Sequence, residues 1–329
     1  MKPTIRTLAE MTGCSTATVS RALKNAGNVR PEVRRKILAA ARETGYSAGS
    51  ARVLIVCENL FPSVWLDGIL PPLIRNLRLL GFTAEIIEKE DIALIQDHNV
   101  AGALSIVHTD GLEKYWEKRH RIPLVKINSS GSHLGGIYSV TNDDQGGCRC
   151  MAEKLIELGH RKIAIYGGGL NFPFGSRHYY LTRLNTFRRT LAEHGLPDHF
   201  IAANWEEYDP APMLKSLLDQ GVTAVIGNGE QEAPKIYYAL RVLGRKIPQE
   251  VSVMCWIPTE MKNWFYPPLS GMVQDYEQIS RRAIQMLTDQ IAGRITCKDV
   301  IVPCRFFDGG SAAAPPPETP VNVSNRHKT

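Results

Sequence analysis

The sequence predicts a small all-α head followed by a larger α/β body of two lobes. Apolar residues recur at helical spacing over the first 46 residues, whereas short β-branched runs alternate with helix-length amphipathic stretches from residue 52 onward. Charge changes at the same place. Residues 1–52 contain ten Lys and Arg against three Asp and Glu, and because the whole chain carries +6, the remaining residues sum to −1. A basic head on a nearly neutral body indicates that the head meets a polyanion.

The head is predicted to contain three short helices. The first runs to a tight turn at Gly13, and the second begins after Ser15, which can cap it. The second helix has short side chains on its first turn, so its backbone could enter the major groove of DNA, which is about 12 Å wide. This pattern is typical of a helix-turn-helix, although an ordinary helical hairpin with a solvated basic face is the alternative.

Composition predicts the domain boundaries. The helix-turn-helix head covers 1–46, a short Gly- and Ser-containing linker covers 47–52, and the body covers 53–308. A body of about 260 residues exceeds the usual size of a single core, which favours two lobes. Residues 309–329 are rich in Gly, Ala and Pro and are predicted to be a disordered tail.

Strands and helices alternate through the body, and this order predicts parallel sheets covered by helices on both faces. The clearest predicted strands are 52–57, 101–107, 123–127, 162–166, 223–227 and 251–256. One helix has unusually consistent signals: Asn142 can cap it, Asp143 and Asp144 suit the positive end of its dipole, and Gly159 ends it. We therefore interpret the two aspartates as helix-start residues and not as catalytic groups.

Several function classes have no support in the sequence. No apolar run of 18 residues and no secretory leader are present, and an odd count of seven cysteines argues against a disulfide framework, so we expect a protein of the reducing cytoplasm with no membrane partner. Cys148 and Cys150 fall on different sides of a helix and cannot share a metal. No phosphate-loop lysine follows the 167–169 glycines, and no Gly-x-Ser-x-Gly occurs. We predict no catalytic residue, no cofactor and no metal.

Four segments of the head resemble a known family. Ala9-Glu10, 13–15, 18–23 and Gly45-Tyr46 are similar in residue type and spacing to the DNA-binding domain of the LacI/GalR family of bacterial transcriptional regulators. Segments 155–164, 248–253 and 268–270 of the body resemble later landmarks of that family. The resemblance implies a two-lobed, periplasmic-binding-protein-like body with a small effector between the lobes, often a sugar or a purine.

The resemblance also implies which residues face DNA. The operator-facing set on the second helix would be Thr16, Ala17, Ser20 and Arg21, with Ser15 at its start. Thr4, Ile5, Asn25 and Arg30 would lie near the DNA backbone. Because phosphate contacts carry no sequence information, we expect specificity to come from Thr16, Ala17 and Arg21.

The linker departs from the family. Family members usually carry a hinge helix that inserts an apolar residue into the minor groove, but only five residues separate Tyr46 from Arg52, so about ten residues are missing. Charges in residues 1–52 would then supply most of the DNA affinity, which predicts unusually salt-sensitive binding.

The expected effector site departs as well. By resemblance, the effector-binding set is Trp65, Asn128, Arg183, Trp205, Asn228 and Tyr276. Its aromatic and polar groups suit a carbohydrate, although core packing is the alternative for each of the three aromatic residues. Acidic residues common in the family are replaced by Asn128, Gly229 and Ile257-Pro258. Arg183 would then be less neutralised, which favours an acidic sugar, a phosphorylated sugar or no effector.

Two functions follow from these observations. The first is a homodimeric, sequence-specific DNA-binding regulator, a repressor controlled by a sugar or sugar derivative, with double-stranded operator DNA as its partner. The alternative is a cytoplasmic solute-binding receptor that has weak or lost specific DNA binding.

Overall fold

The structure is a computed structural model. It describes Leu112, Trp116 and residues 4–23, 29–44, 51–58, 64–94, 100–106, 122–129, 137–168, 177–203, 209–258, 261–294 and 298–317.

The head contains three helices, as the sequence predicts. These are α1 (Ile5–Thr12), α2 (Thr16–Leu23) and α3 (Pro31–Thr44). Each contributes to one small core of buried apolar side chains, namely Leu8, Val19, Ala22, Ile37 and Ala40. Packing all three helices around this core holds the solvent-facing side of α2 in place.

The body alternates strands and helices. Its elements in chain order are β1 (Arg52–Cys57), α4 (Val64–Leu79), β2 (Thr83–Glu88), a 3-10 helix (Lys89–Leu94), β3 (Val100–Ile106), β4 (Leu124–Ile127), β5 (Tyr138–Asn142), α5 (Asp144–Glu157), β6 (Ile163–Gly168), α6 (Arg177–Glu193), β7 (Asp198–Ala203), α7 (Ala211–Asp219), β8 (Ala224–Gly227), α8 (Glu232–Val242), β9 (Ser252–Ile257), β10 (Ser270–Val273), α9 (Tyr276–Ile291), β11 (Val300–Val302) and β12 (Arg305–Phe307).

Two separate sheets divide the body, which confirms the two-lobed α/β prediction. In the described residues, the first sheet has the order β11-β5-β4-β3-β1-β2 and all its strand pairs are parallel. The second has the order β12-β10-β9-β8-β6-β7, in which only the β10–β12 pair is antiparallel. In the second sheet the strand order reverses between β6 and β8, which makes the carboxyl ends of these strands the expected place for a ligand.

The chain forms two compact units. The first holds the head, β1 to β5, α4, α9 and β11, and the second holds α5, most of α6, β6 to β10, α7, α8 and β12. Apolar clusters cover both faces of each sheet. Across the described residues, no helix is long and apolar enough to span a membrane.

The predicted disordered tail begins too early in the chain. Ser311 is fully buried, its hydroxyl donates to the Val253 carbonyl at 2.6 Å and accepts from the Ser270 amide at 2.7 Å. Two residues later, the Ala313 carbonyl oxygen lies 2.8 Å from His160 Nε2, within hydrogen-bond distance. Residues 309–317 are therefore part of the second lobe, because their small side chains and glycines allow a close approach to β9 and β10. Residues 318–329 lie outside the described part of the chain.

The start of α5 also differs from the prediction. Asp143, and not Asn142, caps the helix by accepting a hydrogen bond from the Gly146 amide at 2.8 Å. Asn142 is the last residue of β5, and Asp144 turns into the interior of the second lobe. Asp143 thus caps the helix, whereas the side chain of Asp144, the first helical residue, is available for a different contact.

Candidate functional site

A capping box and a left-handed glycine define the two ends of α1. The Thr4 hydroxyl accepts from the Thr7 amide at 3.3 Å while the Thr7 hydroxyl accepts from the Thr4 amide at 3.1 Å, which is a reciprocal capping box. Gly13 ends α1 in the left-handed conformation with φ 66°. Since a side chain there is strained, Gly13 suits the sharp turn into α2.

The start of α2 presents short side chains to solvent. Ser15 caps the helix, because its hydroxyl accepts from the Thr18 amide at 3.1 Å. Thr16, Ala17 and Arg21 are exposed and Ser20 is half-buried, and their spacing places all four on one side of the helix. The opposite side carries Val19 and Ala22 into the core. The four residues predicted to face the operator therefore share one accessible surface.

The predicted DNA-contacting residues differ in their surroundings. Arg21 lies against its own helix, with Nε donating to the Ala17 carbonyl at 3.2 Å. Ile5 packs partly against the head core. Arg30 is exposed, and its carbonyl accepts from the Arg34 amide at 3.0 Å at the start of α3. Asn25 lies outside the described residues, as do residues 45–50, which comprise the end of the head and most of the linker.

In the first lobe, two of the predicted effector residues meet in the core. The rings of Trp65 and Tyr276 contact each other edge to face, with centroids 6.0 Å apart. Both rings are buried in the apolar cluster between α4, α9 and the first sheet. Gly68 on α4 makes room for the tyrosine, since a Cβ there would lie 2.3 Å from its ring. This geometry is that of core packing, and an effector-binding role for these rings stays a prediction.

Asn128 links two neighbouring strands of the first sheet by hydrogen bonds. It follows β4 with φ 54°, a left-handed conformation that asparagine tolerates better than most residues. Its side-chain oxygen accepts from Asn142 Nδ2 at 3.0 Å, and its amide donates to the Val140 carbonyl at 2.9 Å. The structure therefore places this predicted effector residue in a buried contact between β4 and β5.

In the second lobe, Arg183 is the centre of a buried polar cluster. It is fully buried, and its Nε donates to Asp144 Oδ1 at 2.9 Å. One terminal nitrogen donates to the Asn228 carbonyl at 3.1 Å, and the other lies 3.7 Å from Glu230. The guanidinium carbon also sits 3.9 Å from the centre of the Trp256 ring.

These contacts correct the expected charge of the site. Burial lowers the pKa of Arg183, but the negative charges of Asp144 and Glu230 outweigh burial and raise it, so the guanidinium stays protonated. The expectation that Arg183 is poorly neutralised is wrong, because two carboxylates absent from the predicted set reach it. The argument that Arg183 favours an acidic or phosphorylated sugar therefore no longer applies.

Asn228 and Glu232 form the other part of this polar cluster. Asn228 is fully buried and its Nδ2 donates to the Tyr180 carbonyl at 3.2 Å. The Tyr180 hydroxyl donates to Glu232 in a short hydrogen bond, and burial raises the pKa of Glu232. Arg183 and Asn228 are thus brought together as predicted site residues, whereas Trp205 lies outside the described residues.

The sequence prediction missed four residues of the cluster: Asp144, Tyr180, Glu230 and Glu232. A signal for the two glutamates was present, because both follow directly after a predicted buried strand, where parallel sheets gather their ligand-binding groups. Asp144 was interpreted only as a helix-start residue, and its contact with Arg183, 39 residues later, could not be predicted from spacing.

Comparison with known proteins agrees with this two-part architecture. The family model described as bacterial regulatory proteins, lacI family, matches residues 4–48, and the model for the periplasmic binding protein-like domain matches residues 152–312. A relative is the HTH-type transcriptional regulator CelR of Thermobifida fusca, which is 25% identical over 325 residues, or 90% of this chain and 94% of the relative.

Solved structures share the fold. A transcriptional regulator CelR-cellobiose complex superposes with a TM-score of 0.66 at 24% identity, covering 94% of this chain and 100% of the other. The lac repressor dimer bound to operator and an anti-inducer superposes with a TM-score of 0.70 at 20% identity, covering 95% of this chain and 100% of the other.

Proposed function

The chain belongs to the lacI family of bacterial regulatory proteins, and from this premise we propose that it is a sequence-specific DNA-binding transcriptional regulator, acting as a repressor under the control of a small sugar-like effector. The observation that carries the proposal is the exposed face of α2. Its short side chains stand on a capped helix within a basic head, an arrangement that lets the helix start approach base edges in the major groove.

Within this face, we assign the specificity of DNA binding to Thr16, Ala17 and Arg21. An arginine can bind O6 and N7 of guanine through two hydrogen bonds, and the small neighbours let the helix come close. Arg21 would have to exchange its hydrogen bond with the Ala17 carbonyl for contacts to the base. Ser20 completes the operator-facing set and Ser15 caps its helix, while Thr4, Ile5, Asn25 and Arg30 would lie near the DNA backbone.

Replacing Arg21 with alanine tests this assignment. We expect Arg21→Ala to weaken binding to a selected operator by about 1 to 3 kcal/mol, roughly 5- to 150-fold, with a smaller loss on scrambled duplexes. Competition binding with labelled duplexes measures both losses. The matched control is Arg35→Ala, an exposed arginine on α3 that should affect all duplexes alike. An equal loss on operator and scrambled DNA would assign Arg21 to phosphate contact.

The alternative of a receptor without DNA binding is not favoured. The head retains its core, both helix caps and its excess of positive charge, and none of these features is needed for binding a solute. A DNA titration at two salt concentrations separates the two functions, because a receptor would prefer no duplex. We assign the body a receptor role without catalysis, and a DNA-binding regulator acts in the cytoplasm, where the bacterial chromosome lies.

For the effector, the second lobe offers better-placed groups than the first. Arg183 and Asn228 belong to one buried polar cluster, at the sheet edge where ligands of α/β proteins bind. Trp65, Asn128, Trp205 and Tyr276 complete the proposed effector set. The structure of one relative is a complex with cellobiose, which supports a carbohydrate as the class of ligand.

We further propose a homodimer. Four exposed apolar side chains of the second lobe, which we call the apolar patch, lie on two elements: Tyr238 and Val242 on α8, and Trp264 and Tyr266 (71% and 96% exposed) on the segment after β9. The two elements are in contact, because the Tyr237 and Phe265 rings have centroids 4.8 Å apart. Exposed patches of this kind mark interaction surfaces. A second copy is the occupant that fits best, since a relative of the same fold binds its operator as a dimer and near-palindromic sites require two heads.

Disrupting the patch should separate the copies. We expect Tyr266→Glu to convert the dimer to a monomer and to weaken operator binding, because one head then binds alone. Sedimentation velocity reports the assembly state. Ile301→Ser, which changes an exposed apolar residue on the first sheet, is the control and should leave the dimer intact. A Tyr266→Glu protein that remains dimeric would exclude this patch as the interface.

A further inference from the structure

Gly167 and Gly229 lie at the carboxyl ends of β6 and β8 in the second lobe, and we use the name recess for these strand ends together with the polar side chains beside the two glycines. A Cβ on Gly167 would lie 2.9 Å from Asn228 Cβ and 3.3 Å from the Tyr180 ring, and a Cβ on Gly229 would lie 2.7 Å from Glu232 Oε2. Glycine at both positions therefore leaves backbone close to three polar side chains. This is also the point where the strand order of the second sheet reverses.

Negative charge exceeds positive charge in this recess. Three buried carboxylates, those of Asp144, Glu230 and Glu232, belong to the cluster, whereas Arg183 is the cation that ion-pairs with it. Arg183 lies 2.9 Å from Asp144 and 3.7 Å from Glu230. Among the described residues, Glu232 accepts hydrogen bonds from the neutral Tyr180 hydroxyl and from its own backbone amide. The charge of Lys235 stabilises its anion only in part, because burial still raises its pKa.

Two buried acceptor atoms in the recess have no hydrogen-bond donor in the described part of the chain. They are Asn228 Oδ1 and Glu232 Oε2. Asn228 is fully buried and Glu232 is 5% exposed, so bulk water does not compensate for the missing donors. A buried acceptor left without a donor costs about 1 to 3 kcal/mol, and more when it is charged. Both atoms therefore indicate a ligand that brings donors, and the charged one indicates a cation.

We propose that this recess binds the ammonium group of an amine-bearing, hydroxyl-rich effector, an amino sugar, with Glu232 as the anionic partner and Asn228 Oδ1 accepting from the amine or a neighbouring hydroxyl. The inference rests on the proposed function, since it specifies the class of effector that the regulator senses. Burial raises the pKa of Glu232 although the charge of Lys235 lowers it, so the anion is only partly compensated, and a bound ammonium would supply a further cation. Arg183 stays bound to Asp144 and positions Asn228 through the Asn228 carbonyl.

Matched pairs of sugars test the proposal on the full-length protein. Isothermal calorimetry and thermal denaturation compare D-glucosamine with D-glucose and D-galactosamine with D-galactose, with N-acetylglucosamine as the uncharged amide and glucuronic acid as the anion. We expect an amine to bind at least about tenfold more tightly than its neutral partner, the amide to lose that advantage, and the acid not to bind. Equal or tighter binding of the neutral sugars, or no binding by either amine, overturns the proposal.

Glu232→Gln then tests the assigned residue. It keeps the size of the side chain and removes its charge, so it should abolish the preference for the amine while leaving the thermal midpoint of the unliganded protein equal or higher. Glu153→Gln, at an exposed residue of α5, is the matched control and should keep the preference. A Glu232→Gln protein with an undiminished preference contradicts the proposal, and the wild-type sugar pairs decide the question even if the variant does not fold.

The DNA titration keeps the two levels of inference apart. If no amine binds but a neutral sugar such as cellobiose releases the protein from a selected operator, the ammonium subsite is wrong and the proposed regulator stands. If the protein prefers no duplex while glucosamine binds through Glu232, the regulator is wrong and the subsite stands.

Discussion

Asp144→Ala should lower the free energy of unfolding by about 3 to 5 kcal/mol, because it leaves the fully buried guanidinium of Arg183 without its nearest anion. Glu230, whose oxygen is 3.7 Å from the other side of the guanidinium, is too distant to replace the 2.9 Å contact. Urea unfolding followed by circular dichroism measures the loss.

The neighbouring residue supplies the control for this experiment. Asp143→Ala removes a carboxylate one position earlier, but that carboxylate caps α5 at the Gly146 amide, so the expected loss is about 1 kcal/mol. The double variant Asp144→Ala with Arg183→Met should recover most of the lost stability, since it removes the buried charge together with its partner. Similar losses for Asp143→Ala and Asp144→Ala would contradict the buried ion pair as a major contribution.

DNA affinity should fall by about a thousandfold or more between 50 and 200 mM salt, which is the loss expected when about six to ten phosphates are contacted. Described residues of the head present five exposed basic side chains, those of Arg6, Arg21, Arg30, Arg35 and Lys36, and a dimer presents two such sets. Because the linker predicted at 47–52 is too short for a hinge helix with apolar contacts in the minor groove, we expect these charges to carry most of the affinity.

Replacing single lysines tests whether the salt dependence of DNA binding arises from the charges of the head. Lys36→Ala should reduce the slope of log affinity against log salt by about 1 for each head, whereas Lys215→Ala, an exposed lysine of the body, should leave it unchanged. Fluorescence anisotropy at four salt concentrations gives the slopes. A shallow slope in the wild-type protein would mean that apolar contacts, and not head charges, dominate binding.

Strands were predictable where both faces are buried. The six predicted segments correspond to β1, β3, β4, β6, β8 and β9, which lie inside the two sheets and appear as continuous apolar runs. The missed strands β2, β7, β11 and β12 are sheet edges, and β5 and β10 contain Ser, Thr, Asn or Gly, which interrupt an apolar run. Edge strands such as Thr83–Glu88 mix exposed polar and apolar residues, so their local pattern carries little signal.

The two candidate sites, the α2 surface and the cluster in the second lobe, also differ in how far the sequence could predict them. Thr16, Ala17, Ser20 and Arg21 lie within two helical turns, so their common surface follows from helical spacing alone. The hydrogen bonds of the cluster in the second lobe join residues 39 to 52 positions apart in the chain, and no spacing rule relates them. Trp65 and Tyr276 show a further limit, because their residue type predicts a ligand contact, whereas their ring contact across 211 positions follows only from the fold.

The sequence by itself determined the basic three-helix head and the α/β body, because periodicity, caps and charge are properties of neighbouring residues. Its motifs also carried the resemblance to the family. Only the tertiary structure decided the electrostatics of the second lobe. Burial makes a charge costly, and its partners come from distant elements: Asp144 starts α5, Arg183 lies on α6 and Glu230 follows β8. That convergence turns an apparent free cation into a neutralised one and gives the cluster more carboxylates than guanidinium groups, which is the basis for proposing a cationic effector.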